Sequence, residues 1–206
     1  METLKSKVVI ANSSYGTTIE NLRSISYHNS AGFKIVDEKE FEGYCKWSTK
    51  DTSGIVLLAL SESNEPLSCL RGNVYYTSDE LEKNNLNFKD NCSNFIIYPV
   101  LDMTFASTSP KHFQNGLLSV LRYYMYIIHK HSVKTISGTA VKNSSIYNTL
   151  EKFGYEFREI EKVRKEMLPV DTMTIAKIDT AKLEFAIRYL KSKYAEVIYN
   201  FPLVVT

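Results

Sequence analysis

Two charged residues stand inside apolar stretches of this sequence and are its best candidates for chemistry. Asp102 lies between Leu101 and Met103, and Arg71 follows Leu70. A charge in a buried strand costs free energy unless it is paired or has a function. A buried carboxyl has a raised pKa and suits a general base, and an arginine can bind a substrate carboxylate through two parallel hydrogen bonds. The alternatives are structural: Arg71 pairs with Asp102 or with an acidic residue of a loop. In either case we expect the two to lie near each other or to share one acceptor pocket.

A second candidate site is the start of a long helix. The polar loop 107–112 follows an apolar run and opens onto residues 113–116, where an amphipathic helix begins. The first backbone N–H groups of a helix are unpaired, and the helix dipole is positive there, so such a turn binds phosphate or pyrophosphate. The residues predicted to take part in this contact are Lys111, His112, Gln114, Asn115 and Gly116. A surface position without a ligand remains the alternative for His112.

The elements that would position these residues follow from apolar periodicity and turn residues. They are a helix 17–32, strands 54–60 and 67–76 joined as a hairpin, a short helix or loop within 77–90, a strand 94–105, a helix 113–130, a strand 133–140, a helix 143–153, strands 155–163 and 172–178, and a helix 180–194. Residues 33–53 are expected to be irregular. This order predicts an α/β (α+β) mixed sheet flanked by helices in a single domain, 1–206, with the helix 113–130 joining two parallel strands.

Composition excludes several classes of function. A net charge of +2 with scattered basic residues does not predict a nucleic-acid partner. The three cysteines lack metal-ligand spacing, so no metal is expected, and Cys69 is interpreted as a small buried residue. No stretch approaches the ~20 apolar residues of a membrane span, and the N-terminus lacks the pattern of a signal peptide. The expected location is the cytoplasm.

The order of several short motifs resembles the GCN5-related N-acyltransferases. The motifs are Leu22-Arg23 with Tyr27 on the first helix, the acidic and aromatic segment 37–47, Leu70-Arg71-Gly72 on the second strand, and the block 110–157. Within this block, Asn143 to Gly154 is similar to the segment that closes the acyl-donor site of that superfamily. Together they resemble most the branch of acyl-homoserine-lactone synthases and N-acyl amino acid synthases. The resemblance implies that superfamily's twisted mixed sheet.

The same resemblance implies roles for particular residues. The donor would be an acyl-CoA or the phosphopantetheine thioester of acyl-carrier protein, held near Thr104, Phe105, the loop above and Asn143. A backbone N–H from the region 102–106, at a strand bulge, would stabilise the oxyanion. Arg71, Arg23 and Trp47 would bind the amine acceptor. Asp102 would be the base, and Tyr147 would protonate the leaving thiolate, although a packing role for Tyr147 remains open.

Two departures from the superfamily's pattern affect the interpretation. Gln114 stands where the donor loop has its first glycine, which favours a carrier-protein donor over a tight pyrophosphate site. Leu150 stands where the catalytic tyrosine is expected, and Tyr147 lies three residues earlier on an adjacent face of the helix. The predicted function is transfer of a medium or long fatty acyl chain to an amine such as an amino acid. The alternatives are acetyl transfer from acetyl-CoA to a small amine or protein, and a catalytically inactive binding protein with this fold.

Overall fold

A computed structural model describes residues 6–30, 35, 37–83, 95–110, 113–139, 148, 151, 155–161, 173–178 and 203–204. Its strands are β1 (Ser6–Ala11), β2 (Ile55–Ser61), β3 (Pro66–Tyr75), β4 (Val100–Thr108), β5 (Thr135–Thr139), β6 (Tyr155–Glu161), β7 (Met173–Ile178) and β8 (Leu203–Val204). Its helices are α1 (Gly16–His28), which follows a 3-10 turn at Ser13–Tyr15, α2 (Glu38–Cys45), α3 (Thr49–Ser53), α4 (Ser78–Lys83) and α5 (Phe113–Lys130).

The described strands form one mixed sheet in the order β6-β7-β5-β4-β3-β2-β1-β8. The β4–β5 and β1–β8 pairs are parallel and the other pairs are antiparallel. Helix α5 connects β4 to the parallel strand β5, which confirms the predicted bridging role of residues 113–130. The predicted β2–β3 hairpin and the mixed α/β class are confirmed as well.

The two faces of the sheet bury separate apolar clusters. On one face the apolar stripe of α5 packs against β2, β3, β4 and β5 in a cluster that includes Leu57, Leu70, Leu101, Val120, Leu121, Tyr124, Met125, Ile128 and Ile136. On the other face α1 contributes Ile19 and Leu22 to a smaller cluster with β1, β2 and β3. Cys69 is fully buried in this second cluster, as predicted, and burial raises the pKa of its thiol to about 11.

Tyr124 fixes α5 on the sheet. Its hydroxyl lies between the backbone carbonyls of Ile55 on β2 and Leu70 on β3, at 2.5 and 2.9 Å. Gly72 lies directly beneath the ring, where a Cβ atom would overlap Tyr124. The helix can therefore approach this closely only because β3 has no side chain at that point.

The prediction that residues 33–53 are irregular is wrong, because two short helices form there. Asp37 caps α2 by accepting a hydrogen bond from the backbone of Glu40, and Ser48 and Asp51 form a capping box at the start of α3. Of α2, the structure buries only Phe41 and Cys45, too few residues to show a helical period in the sequence.

The other differences concern ends of elements. No element is predicted before residue 17, yet Ser6–Ala11 forms β1. The strand expected from residue 94 begins at Val100. Asn148 and Glu151, the two described residues of the predicted helix 143–153, are helical. The predicted helix 180–194 lies outside the described residues.

Candidate active site

Strands β4 and β5 part in the middle of the sheet. Their pairing covers Val100–Met103 of β4 and 135–138 of β5, whereas β4 continues to Thr108 alongside β3. At the last pair a Cβ on Gly138 would lie 2.6 Å from the carbonyl oxygen of Met103, so the two backbones are in close contact just before they separate. Beyond this point, in the part of the chain that the structure describes, β4 has a neighbour on one side only.

A bulge in β4 lies at the point of separation. Thr104 pairs with Arg71 and Ser107 pairs with Cys69, so that Phe105 and Ala106 together stand opposite a single residue of β3. Phe105 has a φ of 59°, a left-handed conformation that is rare for a large aromatic residue. The bulge expected in the region 102–106 is therefore present. It changes the direction of the backbone N–H and C=O groups of β4 that face the gap beside β5.

Asp102 is buried on the sheet face opposite α5, next to this gap. Only 5% of its surface is exposed, and its neighbours in register are Asn73 on β3 and Ser137 on β5. Burial raises the pKa of Asp102 to about 6, and the positive charge of Arg71 opposes the rise. The carboxyl group therefore exchanges its proton near neutral pH, which suits a base that must both accept and release protons.

Arg71 lies on the same face, one row closer to the bulge. Its Nε donates to Thr104 Oγ1 at 3.0 Å and its Nη1 to Ser48 Oγ at 3.3 Å. Its nearest described carboxylate is that of Asp51, with Nη1 and Oδ1 separated by 3.6 Å. Of the alternatives open from sequence, Arg71 thus pairs with an acidic residue of the segment before β2, while its charge still acts on Asp102.

Arg23 and Asp51 form a fully buried ion pair beneath this site. Arg23 Nη2 lies 2.5 Å from Asp51 Oδ1, and Nη1 donates to Oδ2 and to the carbonyl oxygen of Lys46, both at 3.3 Å. Burial opposes ionisation of Asp51, but the hydrogen bond and charge of Arg23 hold the pKa of that carboxyl below its usual range. These contacts attach α1 to α3, so they give Arg23 a structural role next to the predicted acceptor site.

Phe105 joins the two arginines. Its ring centroid lies 4.3 Å from the guanidinium carbon of Arg23 and 4.6 Å from that of Arg71, and the ring of Tyr44 is 4.9 Å away. Cation–π contacts of this kind hold a ring in one orientation. The side chain of the bulge residue is thus fixed on the arginine face, while its backbone lies at the gap.

Trp47 lies in the packing between α1 and α3. A Cβ on Gly16 would be 3.6 Å from the Trp47 Cβ, and the indole N–H donates to Thr52 Oγ1 at 3.1 Å. The backbone N–H of Trp47 donates to Glu20 at 2.9 Å. The described contacts of Trp47 are therefore with the protein itself, and its role in acceptor binding stays a prediction.

The predicted donor loop is anchored on both sides. The backbone N–H of Ser109 donates to the carbonyl of Leu67 at 2.8 Å, and that of Thr108 to Ser26 Oγ at 3.0 Å. Gln114 and Asn115 lie in the first turn of α5. Lys111, His112, Asn143 and Tyr147 lie outside the described residues, so their predicted roles remain predictions.

Gly116 permits the start of α5 to contact β3. A Cβ at this position would lie 2.9 Å from the Leu67 Cβ and 3.0 Å from the Ser68 Cβ. By contrast, a Cβ on Gly43, the glycine of α2, would point into open space. Gly116 therefore has a packing role whether or not it also approaches a donor.

Replacing Gly116 by Ala is expected to destabilise the protein by about 1–3 kcal/mol, because the new methyl group overpacks the helix–strand contact. The matched variant Gly43→Ala should be neutral or stabilising by up to about 1 kcal/mol, since alanine is the better helix former. Urea unfolding of both variants measures the difference. Equal effects in the two variants would show that α5 does not approach β3 this closely.

Sequence reasoning missed three polar residues of the site. Asn73 and Ser137 flank Asp102 in neighbouring strands, and Ser48 contacts Arg71. Asn73 carries a usable signal, because it lies two residues from Arg71 and so shares its face of the strand.

Among the described residues no cluster of His, Cys, Asp and Glu could hold a metal ion. Nor is any described helix long and apolar enough to cross a membrane.

Comparison with solved structures identifies the fold. The AHL synthase LasI matches with 12% identity and a TM-score of 0.56, over 88% of this chain and 93% of its own. The CoA-dependent acyl-homoserine lactone synthase BjaI, solved with SAM and isopentyl-CoA, matches with 10% identity and a TM-score of 0.57, over 90% and 89%. The putative acetyltransferase yncA from Salmonella typhimurium, solved with acetyl-CoA, gives 11% and 0.54, over 84% and 94%. No family model matches the sequence, and no curated protein is significantly similar to it. The chain thus has the fold of the GCN5-related N-acyltransferases.

Proposed function

We propose that this protein is an N-acyltransferase that moves an acyl group from a thioester, acyl-CoA or acyl-carrier protein, to an amine such as an amino acid. The observation that carries the proposal is the gap between β4 and β5 at the Phe105 bulge, with the buried carboxyl of Asp102 beside it. The gap leaves strand backbone groups available to a donor, and Asp102 supplies a base. The fold shared with the synthases and the acetyltransferase described above supports this assignment.

The donor would enter along the gap. Its amide groups can hydrogen-bond to the edge of β4 that β5 leaves, and a backbone N–H near Thr104 or Phe105 would donate to the carbonyl oxygen as charge develops there. The first turn of α5 would receive the phosphate groups. In this arrangement the thioester carbon lies at the bulge, close to the face that holds Asp102.

The acceptor would approach from the face of Arg71 and Asp102. Its nitrogen attacks the thioester carbon, a C–N bond forms, the C–S bond breaks, and the amine proton passes to Asp102. The departing thiolate takes a proton from Tyr147 or from solvent. Arg71 would bind a carboxylate on the acceptor, and this contact would distinguish an amino acid from a simple amine.

We expect a preference for medium or long acyl donors. Each methylene that the apolar interior buries contributes about 0.8 kcal/mol, so an eight-carbon chain gains several kcal/mol over acetyl, less the free energy of ordering the chain. Thiol release from acetyl-CoA, octanoyl-CoA and octanoyl-carrier protein, with a panel of amino acids and mass spectrometry of the products, measures this. Equal or better use of acetyl-CoA would favour the acetyltransferase alternative. Donor binding without thiol release would favour an inactive binding protein.

A further inference from the structure

Three polar side chains form a row across the centre of the sheet. Asn73 on β3 is the antiparallel partner of Asp102 on β4, and Asp102 is the parallel partner of Ser137 on β5. Residues that face each other in register project to the same side of a sheet, so all three lie on the face of α3. Their exposed fractions are 7%, 5% and 0%.

Two members of the row have acceptor atoms without a donor. Among the described residues, Asn73 Oδ1 has no hydrogen-bond partner. On the other side of the carboxyl group, the Ser137 hydroxyl donates to Asp102, which opposes the rise in the pKa of that carboxyl, and no described group donates to the Ser137 oxygen. The amide nitrogen of Asn73 donates to the carbonyl of Lys50 at 3.3 Å, which directs its oxygen elsewhere. A buried acceptor without a donor costs free energy, so a pair of them beside a carboxyl group indicates an absent partner with several donors.

The row lies at the inner end of the gap between β4 and β5. One step further along the strands is the last β4–β5 pair, Met103 with Gly138, after which the strands part. On the other side the next row begins with Tyr75 and Val100, which are buried in an apolar cluster with Leu81. The row therefore borders apolar side chains on one side and the gap on the other, so a polar ligand would enter from the side of the gap.

We propose that Asn73 and Ser137 hold the primary ammonium group of the acceptor beside Asp102. A primary ammonium carries three N–H donors, and the row presents three acceptor groups. This inference rests on the proposed function and specifies its acceptor: a secondary or tertiary amine would leave at least one acceptor of the row unsatisfied. Asn73 and Ser137 are thereby assigned to acceptor recognition, with Asp102 as the group that receives the proton.

Binding is tested without turnover, using methylammonium chloride against tetramethylammonium chloride at equal ionic strength. The two ions carry the same charge, but only methylammonium has N–H donors. A Kd of about 10 mM would raise the Tm by about 3 °C at 100 mM methylammonium. Wild-type protein should show this rise with methylammonium alone, and Ser137→Ala and Asn73→Leu should lose it. Equal shifts with both ions, no shift with either, or a shift retained in Ser137→Ala would overturn the inference.

The Tm without ligand distinguishes a role of Ser137 in acceptor binding from a purely structural role. Ser137→Ala removes a hydroxyl whose described hydrogen bond is the one it donates to Asp102, so it should lower the Tm without ligand less than the control does. The control is Ser61→Ala, in the distant β2–β3 hairpin, which removes a hydroxyl that accepts a hydrogen bond from the Glu65 N–H at 2.9 Å and should lower the Tm. A drop in Ser137→Ala as large as that in Ser61→Ala would indicate that Ser137 is an ordinary structural serine.

The kinetic result distinguishes this inference from the proposed function. With an accepted amine, Ser137→Ala should raise the KM for the amine about tenfold or more and leave the KM for the thioester unchanged. If wild-type protein binds methylammonium as expected but releases no thiol with any amine, the ammonium site formed by the row is supported and the proposed function fails. If turnover occurs and Ser137→Ala behaves like wild type, the proposed function stands and the row is wrong.

Discussion

Replacing Asp102 by Asn is expected to lower the turnover number by at least about 100-fold, because a positioned general base contributes about 10²–10⁴ to such reactions. Since the pKa of Asp102 is raised to about 6 by burial, wild-type activity should increase as the pH rises through that value. The remaining activity of Asp102→Asn should lack this dependence. Asp79→Asn, at an exposed position of α4, is the matched control. An unchanged pH profile in Asp102→Asn would remove Asp102 from the mechanism.

The same variant distinguishes a base from a structural carboxylate. The folded protein holds a proton on Asp102 up to pH about 6, whereas the unfolded chain releases it near its ordinary value of 3.8. Between these pH values the folded state binds more protons, so the free energy of unfolding falls as the pH rises, by about 3 kcal/mol in total. Relative to wild type, Asp102→Asn should therefore gain stability from pH 4 to 6 and stay level above. Urea unfolding at several pH values measures this, and a loss of stability at pH 8 would mark a structural pair.

The largest expected effect on stability concerns the buried pair of Arg23 and Asp51. Replacing Arg23 by Met should lower the free energy of unfolding by about 3–5 kcal/mol, because Asp51 would be left buried without its main partner. A loss of this size is a large part of the total stability of a typical domain. Chemical denaturation of the variant measures it.

The control for this prediction is an exposed ion pair of the same region. Lys46, whose side chain is 63% exposed, lies 3.0 Å from Glu20, and Lys46→Ala should cost at most about 1 kcal/mol. If Arg23→Met costs no more than this control and instead raises the KM of the acceptor, Arg23 is the acceptor-binding residue predicted from sequence. The measurement thus decides between the predicted role of Arg23 and the structural role that its contacts indicate.

The sequence alone determined the most apolar elements and the charges that lie among apolar residues. The wide apolar face of residues 113–130 and the continuous apolar run before β3 specify a helix and a strand by local periodicity, and both form. Asp102 and Arg71 could be identified because their immediate neighbours are apolar and force them into the interior. The expected bulge before α5 came from resemblance, and no local pattern in residues 104–106 required it.

Only the tertiary structure decided which residues meet. Arg71 pairs with Asp51, and Asp51 with Arg23, through contacts between segments that are 20 or more residues apart. Several other acidic residues are equally close to these arginines in the sequence. The row of Asn73, Asp102 and Ser137 depends on the register of three strands, which is set by the packing of α5 and the bulge rather than by local sequence. Gly116 likewise reveals its packing role only against Leu67. Local periodicity specifies elements because it acts over a few residues, whereas an active site assembles residues that are distant in the chain, so its geometry follows from the fold.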